Sequence, residues 1–183
     1  GASDSASSNA VIDYITIEDC KNLGDIKCSG RTGGIAADGD NSIIKNCINE
    51  GNISYTFKNG GSLADDAGVG ADGNYTSVGG VMGYWEGTIE NCVNGALKNG
   101  KPEVTKGTVS MVFPTKETGA CASRPAVAGV SAFVLQNMTG CTNYGKVYVK
   151  GTSSGGNTAN AGCGVSGEVC VGGVVAQIGP NGD

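Results

Sequence analysis

The chain contains no histidine in 183 residues. That absence removes the commonest general base and the commonest transition-metal ligand together. Aromatic residues supply only 5% of the chain and charged residues only 16%. A core built on large rings is therefore not expected, and short strands packed through small side chains are. Proline is scarce, at 4 residues. No apolar run reaches the roughly 18 residues that a membrane-spanning helix needs, so no membrane span is expected. Acidic groups outnumber basic ones to give a net charge of −5 and a pI near 4.7. That balance argues against nucleic acid and against an anionic membrane surface as partners. The opening "GASDSASSNA" carries no leader pattern and reads as the flexible start of a trimmed or mature chain.

Glycine, by contrast, is abundant at 33 residues, and there are 8 cysteines. The glycines show no collagen period, and recurrent Val and Ile argue against simple disorder. The cysteines belong to a repeat. "ITIEDCKNLGDIK", "IIKNCINEGNIS", "TIENCVNGALKNG" and "NMTGCTNYGKVYV" share one pattern. An apolar residue (Ile17, Ile44, Ile89, Met138) stands three before Cys20, Cys47, Cys92 and Cys141. Asn22, Asn49, Asn94 and Asn143 follow each Cys by two. Gly24, Gly51 and Gly145 come two further on, then Ile26, Ile53 and Val147. The third copy departs after Asn94, with Ala96 and Lys98 at those places.

A second element precedes the Cys element: "TGGIAA", "VGGVMG", "VAGVSA" and "VGGVVA". From its second Gly to the next Cys is 13 residues once and 12 twice. Loops vary in length, whereas a structural rung does not. Each unit therefore reads as a Gly-pair strand, a tight turn, an Ile-x-x-Cys strand, an Asn-x-Gly turn and a short strand. Elements lie near 15–27, 32–54, 78–100, 127–149 and 171–179, within one domain over 15–183 after a flexible 1–14 segment. Links over 56–77, 104–126 and 150–170 form lateral insertions.

Such units cannot bury their inward side chains alone, and stacking at about 4.8 Å gives them a continuous core. The expected fold is all-β: a right-handed parallel β-helix (β-solenoid) with long lateral insertions, the hand following crossover chirality. Stacked Asn side chains form a ladder along the axis. Small residues after the Gly pair (Ala37, Gly83, Ala132, Ala176) suit a narrow cross-section. Cys20, Cys47, Cys92 and Cys141 become a structural column of inward thiols. Disulfides between like positions of adjacent rungs are geometrically awkward. The off-column Cys28, Cys121, Cys163 and Cys170 are assigned to links and are the better disulfide candidates, Cys163 with Cys170 first; any such pair implies an oxidising compartment.

"GGVMGYWEGTIENCVNGA" and "GGIAADGDNSIIKNCINEGNIS" resemble the GLUG-motif repeat of bacterial surface and secreted proteins. There, Gly-Gly-apolar-x-Gly precedes apolar-x-Asn-Cys-x-Asn-x-Gly-x-Val. The resemblance covers about half the chain. It implies a large, extracellular, adhesin-like protein, most often of gut Bacteroidota or Firmicutes, and brings no catalytic motif.

Other features point elsewhere. Asp38, Asp40, Asp65, Asp66 and Asp72 lie in Gly-rich stretches and could hold Ca²⁺, without EF-hand or RTX spacing; solvated turn acids are the plainer reading. Tyr84 and Trp85 are read at a turn, where an exposed pair would stack on a sugar, with Tyr55, Phe57 and Tyr75 extending the surface. Otherwise these rings cap the solenoid or pack beneath the insertions. Asn52, Asn74 and Asn137 head glycosylation triplets. Only Arg31 and Arg124 supply guanidinium, and neither lies in a repeated strand beside a carboxylate pair, so no enzyme is expected. The ends are incomplete units: either a piece of a longer array, or half-units that complete one another head to tail into a fibre. The expected role is structural and adhesive at or outside the cell surface. Expected partners are a second copy, a host or matrix protein, or a glycan. The alternatives are a fibre subunit and a carbohydrate-binding or carbohydrate-processing module.

Overall fold

Alternating small apolar residues with almost no helix-forming runs favours strands, and every regular element among the described residues is one. A computed structural model describes residues 15–28, 30–56, 77–112, 126–150 and 170–179. Among these residues there is no helix, so none is long and apolar enough to cross a membrane. The first unit contributes β1 (Thr16–Glu18), β2 (Lys21–Asn22) and β3 (Ile26–Cys28). The second contributes β4 (Ala36–Lys45), β5 (Ile48–Asn49) and β6 (Ile53–Thr56). The third runs through β7 (Ser77–Gly79), β8 (Met82–Glu90) and β9 (Val93–Asn94). It continues through a side hairpin, β10 (Leu97–Lys98) and β11 (Lys101–Pro102), to β12 (Val109–Val112). The fourth holds β13 (Ala126–Ala128), β14 (Ser131–Val134), β15 (Met138–Thr139), β16 (Thr142–Asn143) and β17 (Val147–Lys150). Last come β18 (Cys170–Gly172) and β19 (Val175–Ile178).

Equivalent strands of successive units pair in parallel. Among the described residues four parallel sheets run β1-β4-β8-β14-β19 (with β15 also on β8), β2-β5-β9-β16, β3-β6-β12-β17 and β7-β13-β18, beside the antiparallel pair β10-β11. Register follows the repeat: Ile17 faces Ile44, Ile44 faces Ile89, and Ile89 faces Met138. Ile26, Ile53, Val109 and Val147 form a second column. The middle members Ile44, Ile89, Ile53 and Val109 are fully buried. Each such side chain contributes about 1.5–3 kcal/mol by leaving water.

Two features depart from the expectation. No tight turn separates the Gly pair from the Cys element in the second and third units, because β4 and β8 run straight through. The extra residue of the 13-residue spacing is absorbed as a register shift between Asp40 and Ile43, where Asn41 takes φ +43°. In the third unit the missing Gly-x-apolar step is displaced, not lost. Asn99 and Gly100 both have positive φ and close the β10–β11 hairpin, a turn that favours an Asn-Gly pair. Beyond the hairpin, Gly107 and Val109 take the Gly51 and Ile53 places. The link after the third unit thus begins after Val112, not at Val104.

The corner before each Cys has its own chemistry. Asp19, Asn46, Asn91 and Gly140 all adopt φ between 51° and 63°. Only Gly, and Asn or Asp among the rest, visit this left-handed region readily, which is why these types precede the four cysteines.

Candidate functional site

The Asn residues follow a corner, so their side chains turn into the stack. Asn22 Nδ2 donates to Asn49 Oδ1 at 2.8 Å, Asn49 to Asn94 at 2.7 Å, and Asn94 to Asn143 at 2.8 Å. The second hydrogen of each amide donates to the carbonyl of Gly24, Gly51, Gly107 or Gly145. Asn49 and Asn94 are fully buried, and an unpaired amide there would be costly. The second Gly of each pair packs on this ladder. A Cβ on Gly34, Gly80 or Gly129 would overlap the carbonyl of the next unit's Gly and the side chain of Asn49, Asn94 or Asn143. The cross-section admits one amide and one backbone, which explains both residue types.

The four cysteines share one local geometry. Each Sγ lies 3.3–3.4 Å from the carbonyl two residues earlier. Cys47, Cys92 and Cys141 also approach the carbonyls of Ile17, Ile44 and Ile89 at 3.7–3.9 Å. Cys47 and Cys92 are buried, Cys141 is half-buried, and Cys20 is exposed. The expectation of an inward, buried thiol therefore does not hold for Cys20, since among the described residues nothing stacks beyond it. Burial pushes the Cys28 and Cys47 thiols up. The Cys92 thiol is raised by donating to Cys141 and by burial. Accepting that hydrogen bond draws Cys141 down to about 7.

Cys28 and Cys170 do not lie in links. They sit in β3 and β18, paired with Tyr55 and Ala126, and both are free thiols. Strand register holds each beside a partner without sulfur. Cys121 and Cys163 lie outside the described residues.

Tyr84 and Trp85 are not at a turn and not exposed. They lie mid-strand in β8 at 6% and 2% exposure, too enclosed to meet a sugar. Tyr84 stacks on Phe133 with centroids 4.8 Å apart and donates to Glu86 at 2.9 Å. Arg31 covers the other part of the ring at 4.3 Å and bonds Asp38. Tyr55 is likewise buried, while Phe57 and Tyr75 fall outside the described residues. The Arg31–Asp38–Tyr84–Phe133 cluster was not anticipated. Its signal was present: these last three stand four residues after Gly34, Gly80 and Gly129, and they share one register column.

Asp38 and Asp40 are exposed, and Asp38 pairs with Arg31; Asp65, Asp66 and Asp72 lie outside the described residues. Among the described residues no group of three Asp, Glu or Cys gathers as a metal site. Asn52 is engaged by Asp25, Thr105 and Thr108, Asn137 is exposed, and Asn74 is outside the described residues. No protein-family model, curated protein or solved structure matches the chain.

Proposed function

We propose that the units wind as a right-handed β-solenoid of GLUG-repeat type, and that the protein serves as a non-enzymatic structural and adhesive element on the outside of a bacterial cell. The observation that carries this reading is the unbroken Asn22–Asn49–Asn94–Asn143 ladder. It commits the amides of all four units to holding neighbours in register. The cysteine column and the Gly pairs are used the same way. A rigid rod with sideways insertions is suited to spanning distance and presenting variable loops. The carbohydrate alternative loses its platform, because Tyr84 and Trp85 are interior.

Protease shaving of intact cells, followed by a screen of the purified chain on host matrix proteins and glycans, tests the role. Release from the surface with matrix or glycan binding supports it. Recovery only from the cytosol would refute it, as would turnover of a polysaccharide.

A further inference from the structure

Charge is unevenly placed along the stack. Before residue 57, three of the four described basic side chains are paired: Lys21 with Glu50, Arg31 with Asp38 and Lys45 with Glu18. From Leu97 onward the described residues carry five lysines, Lys98, Lys101, Lys106, Lys146 and Lys150, against a single carboxylate, Glu103. Among the described residues none of these five forms an ion pair. In a chain of net charge −5 this is a local reversal of sign.

The fold brings the five together. Lys98 and Lys101 are direct cross-strand partners in the β10–β11 hairpin. Like charges placed directly opposite destabilise a strand pair, and here no carboxylate relieves them. Lys106 stands at the base of the hairpin, where its N–H donates to the Glu103 carbonyl at 3.0 Å. Asn52 Nδ2 donates to the Thr105 carbonyl at 3.2 Å and holds that base to the second unit. On the other side the base lies against the fourth unit. A Cβ on Gly145 would strike the Gly107 carbonyl, and the Val109 N–H donates to the Lys146 carbonyl at 2.8 Å. Lys106 and Lys146 therefore stand on adjacent layers at one corner. Along β17, Val147 and Val149 pack on the core, so Lys146, Tyr148 and Lys150 share the outward face. Tyr148 is 43% exposed between the two lysines. The stack does not call for the hairpin, since Gly107 and Val109 resume the repeat beyond it and the first, second and fourth units make the same step without one.

We propose that the hairpin and the outward face of β17 form a docking surface for an acidic polysaccharide, a polymer bearing sulfate or carboxylate groups. The proposal rests on the adhesive reading above and supplies its ligand class. An anion between Lys98 and Lys101 replaces their repulsion with attraction to a shared partner. Lysine is a flexible point charge that takes sulfate or carboxylate without the fixed fork that arginine brings to phosphate and base edges, and no arginine lies in the cluster. The Tyr148 ring offers an apolar face to the C–H groups of a sugar. The negative charge of the whole chain opposes a densely charged duplex, which favours a polymer whose charges are intermittent.

The test places the full chain over surfaces carrying heparin, polygalacturonate, dextran or duplex DNA. Wild type should bind heparin or polygalacturonate, about tenfold more weakly when salt rises from about 50 to about 200 mM, and should not bind dextran. Binding to heparin alone assigns sulfate as the recognised group, and binding to polygalacturonate alone assigns carboxylate. K98E/K101E should lower affinity by about tenfold or more with an unchanged unfolding midpoint, because both side chains are exposed. K98R/K101R should keep the affinity. Wild type that binds neither acidic polymer overturns the proposal, as does K98E/K101E that binds like wild type, or a preference for duplex DNA. Surface shaving keeps the two readings apart. If neither polymer is bound but the chain is released from intact cells and binds a matrix protein, the ligand class alone fails; recovery only from the cytosol fails the adhesive reading.

Discussion

Asn49 Nδ2 donates to Asn94 Oδ1 at 2.7 Å across 45 residues of sequence. Both side chains are fully buried, so neither has water as an alternative partner. The pair ties the second unit to the third within the buried interior.

Asn94→Ala should therefore lower stability by about 2–4 kcal/mol, since each buried polar group left unpaired costs about 1–3 kcal/mol. Asn49 Nδ2 and the Gly107 carbonyl would both be stranded. Asn22→Ala, at the less buried end of the ladder, should cost less. Urea titration of the two variants checks the ordering, and equal losses would count against an internal ladder.

Gly80→Ala should destabilise by at least about 1–3 kcal/mol, the usual range for overpacking a close-packed interior. Its Cβ has the Gly129 carbonyl on one side and Asn94 on the other, and neither is a flexible chain end. The shift in thermal midpoint reads this directly.

Alkylation should separate Cys141 from Cys47 and Cys92. Its pKa of about 7 means its thiolate fraction rises as pH increases through 7, and its sulfur is half-buried, not sealed. Cys92 and Cys47 have raised pKa values and no exposure. Iodoacetamide with peptide mapping between pH 6 and 8.5, a range on the order of one to two units around that value, should show Cys141 labelled with a midpoint near 7. Cys47 and Cys92 should react only after unfolding. Labelling of Cys92 before Cys141 would contradict the arrangement.

Removal of residues 96–106 should leave the fold intact. The deletion joins Asn94-Gly95 to Gly107-Thr108-Val109, restoring the Asn-x-Gly-x-apolar spacing of the other units. Closing a loop of this size changes stability by only about 1 kcal/mol. Circular dichroism and urea melting of the shortened chain provide the check.

The columns of the stack were legible in the sequence because each is fixed by a residue type at constant spacing: apolar, Cys, Asn, Gly. Local packing in a repeat is the same at every copy, so four copies speak with one voice. What was not legible breaks that uniformity. Cys20 carries the column's residue type but lies exposed at its end. Tyr84 and Trp85 sit between Gly83 and Glu86-Gly87, as turn residues do, yet parallel pairing with β4 and β14 keeps β8 extended. Gly107 and Val109 were hidden by a hairpin that separates them from Asn94 in sequence and not in space. Cys28 and Cys170 lay one residue beyond the repeat boundaries, and only strand pairing extends those boundaries.

The register shift beside Asn41 has a wider meaning. One surplus residue enters the second unit between Asp40 and Ile43, and by Ile44 the alignment with Ile89 has been restored. Length error is cancelled where it arises and is not handed on. The second unit therefore carries one more residue than its neighbour between those points while the pairing of Ile44 with Ile17 and Ile89 keeps its count.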